Sequence, residues 1–240
     1  MAGQREPGGA RSRPLLEVIA LSADDAIAAE RGGADRLEIV RAIDTGGLTP
    51  DLENFERIRA AVRLPLRVML RSNAGFQVSP GELEELCRAA AALRASGADQ
   101  FVFGFLDDCC DLDLPAIRTL ADAVAPHPWT LHHAFDHARD LRAAWDAAQA
   151  LTGLDCILTG GVRGDLSTGL DALISRAAWQ ADGPRWLAGG GLTLAHLEPL
   201  RAAGITMFHT GRAARHSGSW SRPVSAEAVR RWRDVLDATA

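Results

Sequence analysis

The chain has 240 residues, of which 47% are hydrophobic and 24% charged, and a formal net charge of -5 at pH 7. This composition is typical of a globular protein with one sizeable core. The negative charge argues against binding to nucleic acid or to anionic membranes. No apolar run approaches the roughly 20 residues that a membrane span needs, and the start, MAGQREPGGARSRP, lacks the apolar core of a signal peptide. We therefore expect a cytoplasmic protein with a disordered tail at residues 1–14 and free cysteines.

Two residue types are absent, and their absence limits the chemistry. All 26 basic residues are arginines, and the chain contains neither lysine nor tyrosine. Schiff-base aldolase chemistry and pyridoxal phosphate chemistry both need a lysine amine, so both are excluded. The remaining acid–base candidates are histidine, aspartate, glutamate and cysteine.

Short apolar runs alternate with amphipathic stretches along the chain. Each run predicts a strand and each amphipathic stretch a helix, and single helices between strands are typical of parallel βαβ units. Eight such units within residues 15–240 predict a (β/α)₈ TIM barrel of one domain. An open doubly wound sheet is the alternative, but no GxGxxG follows the first strand. The predicted strands cover residues 15–20, 35–40, 66–71, 100–106, 129–135, 155–161, 185–191 and 206–211.

The predicted fifth strand carries the motif TLHHAFD, residues 130–136, with two adjacent histidines. Side chains of a strand point alternately to its two faces. Leu131 and Phe135 share one parity, which should face the helices. His132 and Asp136 share the other parity, so we expect both to point into the barrel or to its mouth.

Polar residues recur at corresponding positions of the other strands. A barrel interior is normally filled by branched aliphatic residues, and buried charges are costly unless they are paired. Because barrel enzymes carry their sites at the carboxyl ends of the strands, this ring predicts a functional site there. The alternative is a structural network in which Arg71 pairs with Glu17 and Glu38. The ring consists of Glu17, Glu38, Arg71, Thr159 and His209 in addition to the residues of the fifth strand.

Two glycine-containing stretches follow the predicted seventh and eighth strands. Loops at these positions of a barrel commonly bind phosphate through backbone N–H groups, and an arginine there would provide a bidentate clamp. The stretches therefore predict a site for an anionic group, although tight turns between strands and helices use the same residues. The candidate ligand-binding residues are Gly189, Gly190, Gly191, Thr210, Gly211 and Arg212.

Several motifs together resemble the CutC family of copper homeostasis proteins. The resemblance extends from Leu15 to about Trp220. It implies a TIM barrel, copper handling and assembly into homodimers or larger homo-oligomers. The motifs that carry it are LLEV at 15–18, GGADRLE at 32–38, GGLTP at 46–50, VMLR at 68–71, HHAFD at 132–136, ILTGG at 157–161, AGGG at 188–191 and FHTGRAAR at 208–215.

The chain departs from the family pattern at three places. His133 stands where the family typically has arginine, and RSNAGF replaces the usual RPRGGDF after the third strand. The resemblance implies copper(I) binding through cysteines that follow the glutamates of strands one and two, but the matching residues are Ile19 and Val40. Copper(I) prefers thiolate or thioether ligands, so that thiolate site does not exist in this chain.

Three kinds of function remain open from the sequence, one of them a module that binds a phosphorylated metabolite without catalysing a reaction. The resemblance implies that the protein handles copper. The residues that could hold a divalent metal ion are Glu17, Glu38, His132 and His209, since carboxylates and imidazoles suit such ions. Alternatively it is an isomerase, lyase or hydrolase that acts on a small anionic or phosphorylated metabolite by acid–base or metal-assisted chemistry. In that case His132 would be the general acid or base, Glu17 or Glu38 its partner, and Asp136 a further catalytic candidate, while Arg71 and the glycine loops would hold the substrate.

Overall fold

A computed structural model describes residues 13–238, apart from the side chain of Asp182. Eight parallel strands pair in chain order, and the first also pairs with the last, so the sheet is a closed barrel. A helix follows each strand, which confirms the predicted (β/α)₈ fold. The strands are β1 (Leu15–Ala20), β2 (Arg36–Ile39), β3 (Leu66–Met69), β4 (Gln100–Phe103), β5 (Trp129–Leu131), β6 (Leu154–Thr159), β7 (Arg185–Ala188) and β8 (Met207–Thr210). The helices are α1 (Ala23–Gly32), α2 (Leu52–Ala61), α3 (Pro80–Ala95), α4 (Leu114–Val124), α5 (Leu141–Ala148), α6 (Leu166–Arg176), α7 (Leu197–Ala202) and α8 (Ala226–Ala238).

The helices begin and end where local side chains satisfy the backbone. The Ser22 side chain accepts a hydrogen bond from the N–H of Asp25 and caps α1, and Gly33 ends that helix in the left-handed conformation. Ser79 and Glu82 form a reciprocal capping box at the start of α3. Between residues 13 and 238, no helix is both long enough and apolar enough to cross a membrane.

The predicted N-terminal tail is described only at its end. Arg13 forms ion pairs with Asp35 at 2.7 Å and with Asp237 at 3.2 Å, so it joins the end of α8 to the loop before β2. Residues 1–12 of the predicted tail, and residues 239–240 at the other end, lie outside the described residues.

The two faces of the barrel strands differ in chemistry. One face packs against the helices in a continuous apolar core, which includes Leu16 and Val18 of β1 and the large rings of Trp129 and Trp186. The face inside the barrel carries charged residues, among them Arg36 and Glu38 of β2. Alternation along each strand therefore sorts apolar residues outward and much of the buried charge inward.

Strand β5 is shorter than predicted. It ends at Leu131, and a 3₁₀-helix follows at Phe135–His137. The side chain of Asp136 accepts a hydrogen bond from the backbone N–H of Gly160 at 2.8 Å, which draws this turn towards the end of β6. The polar part of the TLHHAFD motif is therefore a turn at the barrel mouth.

Candidate functional site

A cavity of about 710 Å³ opens at the carboxyl ends of the strands. This volume lies within the range of small-molecule sites in proteins. The cavity is bounded by ends of strands and by the loops that follow them, as expected for a barrel site. Of the residues predicted for the site, it is lined by Glu38, Arg71, His132, Gly190, Gly191, His209, Thr210, Gly211 and Arg212.

Beneath the cavity floor, Glu17 joins Arg36 and His209. Its Oε2 accepts a hydrogen bond from Arg36 Nε at 2.5 Å, and its Oε1 lies 2.7 Å from Nδ1 of His209. Each of the three residues is at most 5% exposed, so water screens this network little. Burial alone would raise the pKa of Glu17, but Arg36 and His209 outweigh burial and lower it to about 2. Glu17 is therefore a carboxylate that orients His209.

Glu38 lies on the other side of the same imidazole. Its Oε2 is 3.8 Å from Nε2 of His209. Burial raises the pKa of Glu38 to about 7, although His209 opposes the shift. Burial alone would lower the pKa of His209, but Glu38 and Glu17 outweigh it and raise the pKa. Near neutral pH, Glu38 therefore changes its charge beside an imidazole that Glu17 orients.

The raised pKa of Glu38 predicts a pH-dependent stability. A carboxyl group whose pKa rises on folding, here from 4.5 to about 7, binds its proton more tightly in the folded state. Its contribution to the free energy of unfolding is therefore lost as the pH rises through this range. Relative to Glu38→Gln, the metal-free wild-type protein should lose about 2–3 kcal/mol between pH 5 and pH 8, measured by denaturant unfolding. Glu53→Gln, at an exposed position, is the control; equal pH profiles for wild type and Glu38→Gln would contradict the prediction.

Glu17, Glu38 and His209 form a group that is able to hold a metal ion. One potential ligand atom from each residue lies within 4.8 Å of the others. Both oxygens of Glu17 already bind His209 and Arg36, so the atoms left for an ion are the Glu38 carboxylate and Nε2 of His209. A carboxylate that holds the far nitrogen of a ligating histidine is a common feature of metal sites. Carboxylate and imidazole donors suit Cu²⁺ or Zn²⁺.

His132 lies just after β5, and its side chain is buried. Its Nδ1 accepts a hydrogen bond from the backbone N–H of Ala134 at 3.2 Å. Because an amide N–H only donates, this bond places the imidazole proton on Nε2. Burial lowers the pKa of His132 well below its ordinary value, and Arg71 acts in the same direction, so the ring is neutral. His132 Nε2 is therefore a hydrogen-bond donor, an arrangement that does not favour the predicted roles as metal ligand or general base.

Asp136 and Thr159 are brought together, but away from the lining of this cavity. Thr159 donates a hydrogen bond to Oδ1 of Asp136 at 2.5 Å, and Oδ2 of the same carboxylate is 3.0 Å from Nδ1 of His133. With the N–H of Gly160, these contacts connect the turn after β5 to the end of β6. Asp136, predicted as catalytic, and Thr159, predicted to bind substrate, therefore brace the loop that carries His132 and His133.

Arg71 lines the cavity, but its guanidinium is already occupied. It donates hydrogen bonds to the carbonyl oxygens of Gly46 at 3.2 Å, Ala74 at 2.5 Å and Gly75 at 3.2 Å. The alternative network of Arg71 with Glu17 and Glu38 does not form, because the bonding partner of Glu17 is Arg36. Arg71 instead clamps the loop after β2 to the loop after β3. Its charge still faces the cavity.

The glycines after β7 and β8 allow close backbone approaches. Gly190 has φ +80°, and a Cβ atom there would lie 1.8 Å from the carbonyl oxygen of Gly164. Gly189 lies beneath the cavity wall, where a Cβ atom would approach Leu158 at 2.6 Å and His209 at 3.0 Å. Close packing of neighbouring loops therefore accounts for Gly189 and Gly190, whether or not the loops bind a ligand.

Sequence reasoning missed several residues of the site. Arg36 shares the strand parity of Glu38, and this parity was the available signal for it. Phe76, His137 and Arg163 reach the cavity from loops, where strand alternation gives no information. Trp220, in the segment after β8, also lines the cavity.

The four cysteines are free, as predicted, and none lines the cavity at the barrel mouth. Cys109 and Cys110 are exposed and line a neighbouring cavity of about 720 Å³. Cys156 is buried inside the barrel, and burial raises the pKa of its thiol to about 11. The donors beside the cavity are therefore nitrogen and oxygen atoms rather than thiolates.

Comparison with known proteins identifies the family. The CutC family model matches residues 15–214. The chain belongs to the CutC family. The human copper homeostasis protein cutC homolog is 36% identical over 88% of this chain and 78% of its own. The CutC family protein of Enterobacter sp. strain 638 is 32% identical over 86% of this chain and 81% of its own length. The crystal structure of CutC from Streptococcus agalactiae covers 82% of this chain and 98% of its own length, with a TM-score of 0.76 and 22% identity. At this identity the similarity shows a shared fold.

Within this CutC-family chain, the two positions at which the resemblance implies cysteines are apolar. Ile19 and Val40 are buried together with Met69 and Val102 in a small cluster inside the barrel, against which Trp220 packs. This cluster forms part of the cavity wall beside Glu38 and His209. The thioether of Met69 is the soft donor left here, and one thioether does not make a copper(I) site.

Proposed function

We propose that this protein takes part in copper homeostasis by binding Cu²⁺ at the barrel mouth. The ligands are Nε2 of His209 and the carboxylate of Glu38, with the remaining positions open to water or to a small ligand. The observation that carries the proposal is the Glu17–His209 hydrogen bond of 2.7 Å, which presents Nε2 of His209 towards Glu38. Copper is favoured as the metal because curated relatives are named copper homeostasis proteins.

The oxidation state follows from the donor types. Imidazole and carboxylate groups suit Cu²⁺, whereas Cu⁺ prefers sulfur. Proton competition sets the pH dependence, because an imidazole must lose its proton before its nitrogen binds a metal. Since the two glutamates raise the pKa of His209, we expect copper affinity to increase as the pH rises from 6 to 8.

The test is copper binding to protein purified without a metal-affinity tag. We expect one Cu²⁺ per chain by elemental analysis after equilibrium dialysis, with nitrogen coupling in the electron paramagnetic resonance spectrum. His209→Gln and Glu38→Gln should each weaken binding at least about tenfold, and Glu17→Gln, which removes the orienting carboxylate, about 10–100-fold. Circular dichroism would verify that each variant is folded.

The matched control is His127→Gln. His127 is a half-buried histidine between α4 and β5, at the opposite end of the barrel. Its replacement should leave copper binding unchanged. Sub-stoichiometric copper at every loading would contradict the proposal, as would equal affinity in His127→Gln and His209→Gln. Stoichiometric Zn²⁺ without Cu²⁺ would retain the site and reject copper.

A further inference from the structure

Two buried polar atoms in side chains at the barrel-mouth cavity have no hydrogen-bond partner. They are Nε2 of His132 and Oγ1 of Thr210, on residues that are 3% and 2% exposed. Among the described residues, the other buried side-chain atoms without a hydrogen bond belong to Arg215 and Arg233. Both guanidinium groups form ion pairs with aspartates. Buried polar groups in native proteins are nearly always paired, so an orphaned group calls for an explanation. Both residues line the same cavity, which suggests that a ligand supplies the missing partners.

The proton positions define what that ligand must offer. Nε2 of His132 carries the imidazole proton because Nδ1 accepts the N–H of Ala134. The Thr210 hydroxyl both donates and accepts. A ligand that satisfies both groups therefore presents oxygen acceptors.

The charge around the cavity favours an anion. The guanidinium groups of Arg71, Arg163 and Arg212 line it, whereas the lining contains one carboxylate, that of Glu38. Arg163 and Arg212 are exposed at the rim. An anion entering here gains from the positive charge before it reaches the buried donors.

The walls favour an organic body larger than an ion. The ring of Phe76 lies 5.5 Å from that of His132, edge to face, and 5.0 Å below the guanidinium of Arg71. Trp220 forms another part of the wall. Aromatic walls with a few placed polar groups are typical of small-molecule sites.

We propose that this cavity binds a small organic anion, whose carboxylate or phosphate oxygens accept hydrogen bonds from Nε2 of His132 and Oγ1 of Thr210. The inference goes beyond copper binding, since neither residue is a ligand in the copper site proposed above. It explains why two buried donors remain unpaired in the protein alone. The neutral state of His132 suits this role, because a neutral ring that already accepts at Nδ1 donates only from Nε2.

The experiment uses metal-free protein, so that its outcome is independent of copper. The probes are short mono- and dicarboxylates, sugar phosphates, and the amides that match the carboxylates. The readouts are the melting temperature and the ¹⁵N resonances of His132. We expect at least one anion to shift the Nε2–H resonance and raise the melting temperature, while its neutral analogue does neither. The two anion series distinguish carboxylate from phosphate recognition. Failure of every anion to move the His132 resonance would overturn the proposal.

Thr210→Val separates a ligand-binding role from a structural one. Valine keeps the shape of threonine and removes the unpaired hydroxyl, so the melting temperature of the free protein should not fall. Binding of the anion should weaken about five- to tenfold, as for loss of one hydrogen bond to a charged group. Thr119→Val, on the exposed face of α4, should change neither quantity. Unchanged anion binding in Thr210→Val would count against the assignment.

A pair of variants tests His132 in the same way. His132→Phe removes the donor and keeps a planar ring, so anion binding should weaken about tenfold. His132→Gln keeps an N–H donor and should recover part of the affinity. Should either protein fail to fold, Thr210→Val and the ¹⁵N titration of the wild type still decide the question. Equal anion affinity in wild type and a folded His132→Phe would reject this role for the imidazole.

Discussion

Arg36→Met is expected to lower the free energy of unfolding by about 3–5 kcal/mol at pH 7, the cost of leaving a buried charge without its partner. Arg36 and Glu17 are 4% and 1% exposed and lie 2.5 Å apart. Methionine fills much of the arginine volume, so lost packing contributes little. The measurement is chemical denaturation followed by circular dichroism, with the wild type under the same conditions.

Two controls identify the cause of this loss. Arg57→Met removes an exposed arginine 3.8 Å from Glu53 and should change stability by less than about 0.5 kcal/mol. The double variant Glu17→Gln/Arg36→Met should recover most of the loss, because no buried charge then lacks its partner. A double variant as unstable as Arg36→Met would attribute the effect to packing.

The pH profile gives an independent check on the same pair. On folding, the pKa of Glu17 falls from 4.5 to about 2. A carboxyl with a depressed pKa contributes stability that is present above pH 4.5 and is lost as the pH falls towards 2. This acid-dependent loss should be smaller in Arg36→Met than in the wild type.

Gly190→Ala is expected to destabilise the protein by at least about 4 kcal/mol, or to prevent folding of the loop after β7. Its φ of +80° disfavours any residue with a Cβ atom. The added Cβ atom would also lie 1.8 Å from the carbonyl oxygen of Gly164, so one of two backbone segments must move. The measurement is denaturant unfolding, together with the copper and anion titrations described above.

Gly191→Ala is the matched control at the next residue. Gly191 also has a positive φ, +68°, but the nearest atom to a Cβ there is Oδ1 of Asp165 at 3.3 Å. Its replacement should cost about 1–2 kcal/mol, the conformational penalty alone. If both variants lost the same stability, the contact with Gly164 would not explain the requirement for Gly190.

The site combines features of a metal centre and of a small-molecule pocket. Glu38 and His209 approach each other on one part of the wall, while His132 and Thr210 offer unpaired donors elsewhere along it. A copper ion and an organic anion would therefore share one cavity of about 710 Å³. Binding of one in the presence of the other would show whether the anion acts as an additional copper ligand.

The sequence by itself predicted the barrel, because alternation of apolar strands and amphipathic helices is a local property that repeats eight times. Strand alternation also predicted that Glu17, Glu38 and His209 point inward, and these three meet in the structure. The same reasoning placed His132 at the barrel mouth, where it lies. Side-chain parity depends on neighbouring residues alone, so it is readable from the chain.

Only the tertiary structure decided which of these groups bind one another. Glu17 pairs with Arg36, and not with Arg71 as in the alternative network, because the register of β1 and β2 places Glu17 opposite Arg36. Likewise, the contact between Glu17 and His209 joins residues 192 positions apart and requires closure of the barrel between β1 and β8. The proton on His132 depends on a hydrogen bond from the turn at Ala134, and the bond between Asp136 and the N–H of Gly160 holds that turn at the end of β6. Pairing and protonation thus depend on distances of a few ångströms between separate segments, which a pattern along one strand does not encode.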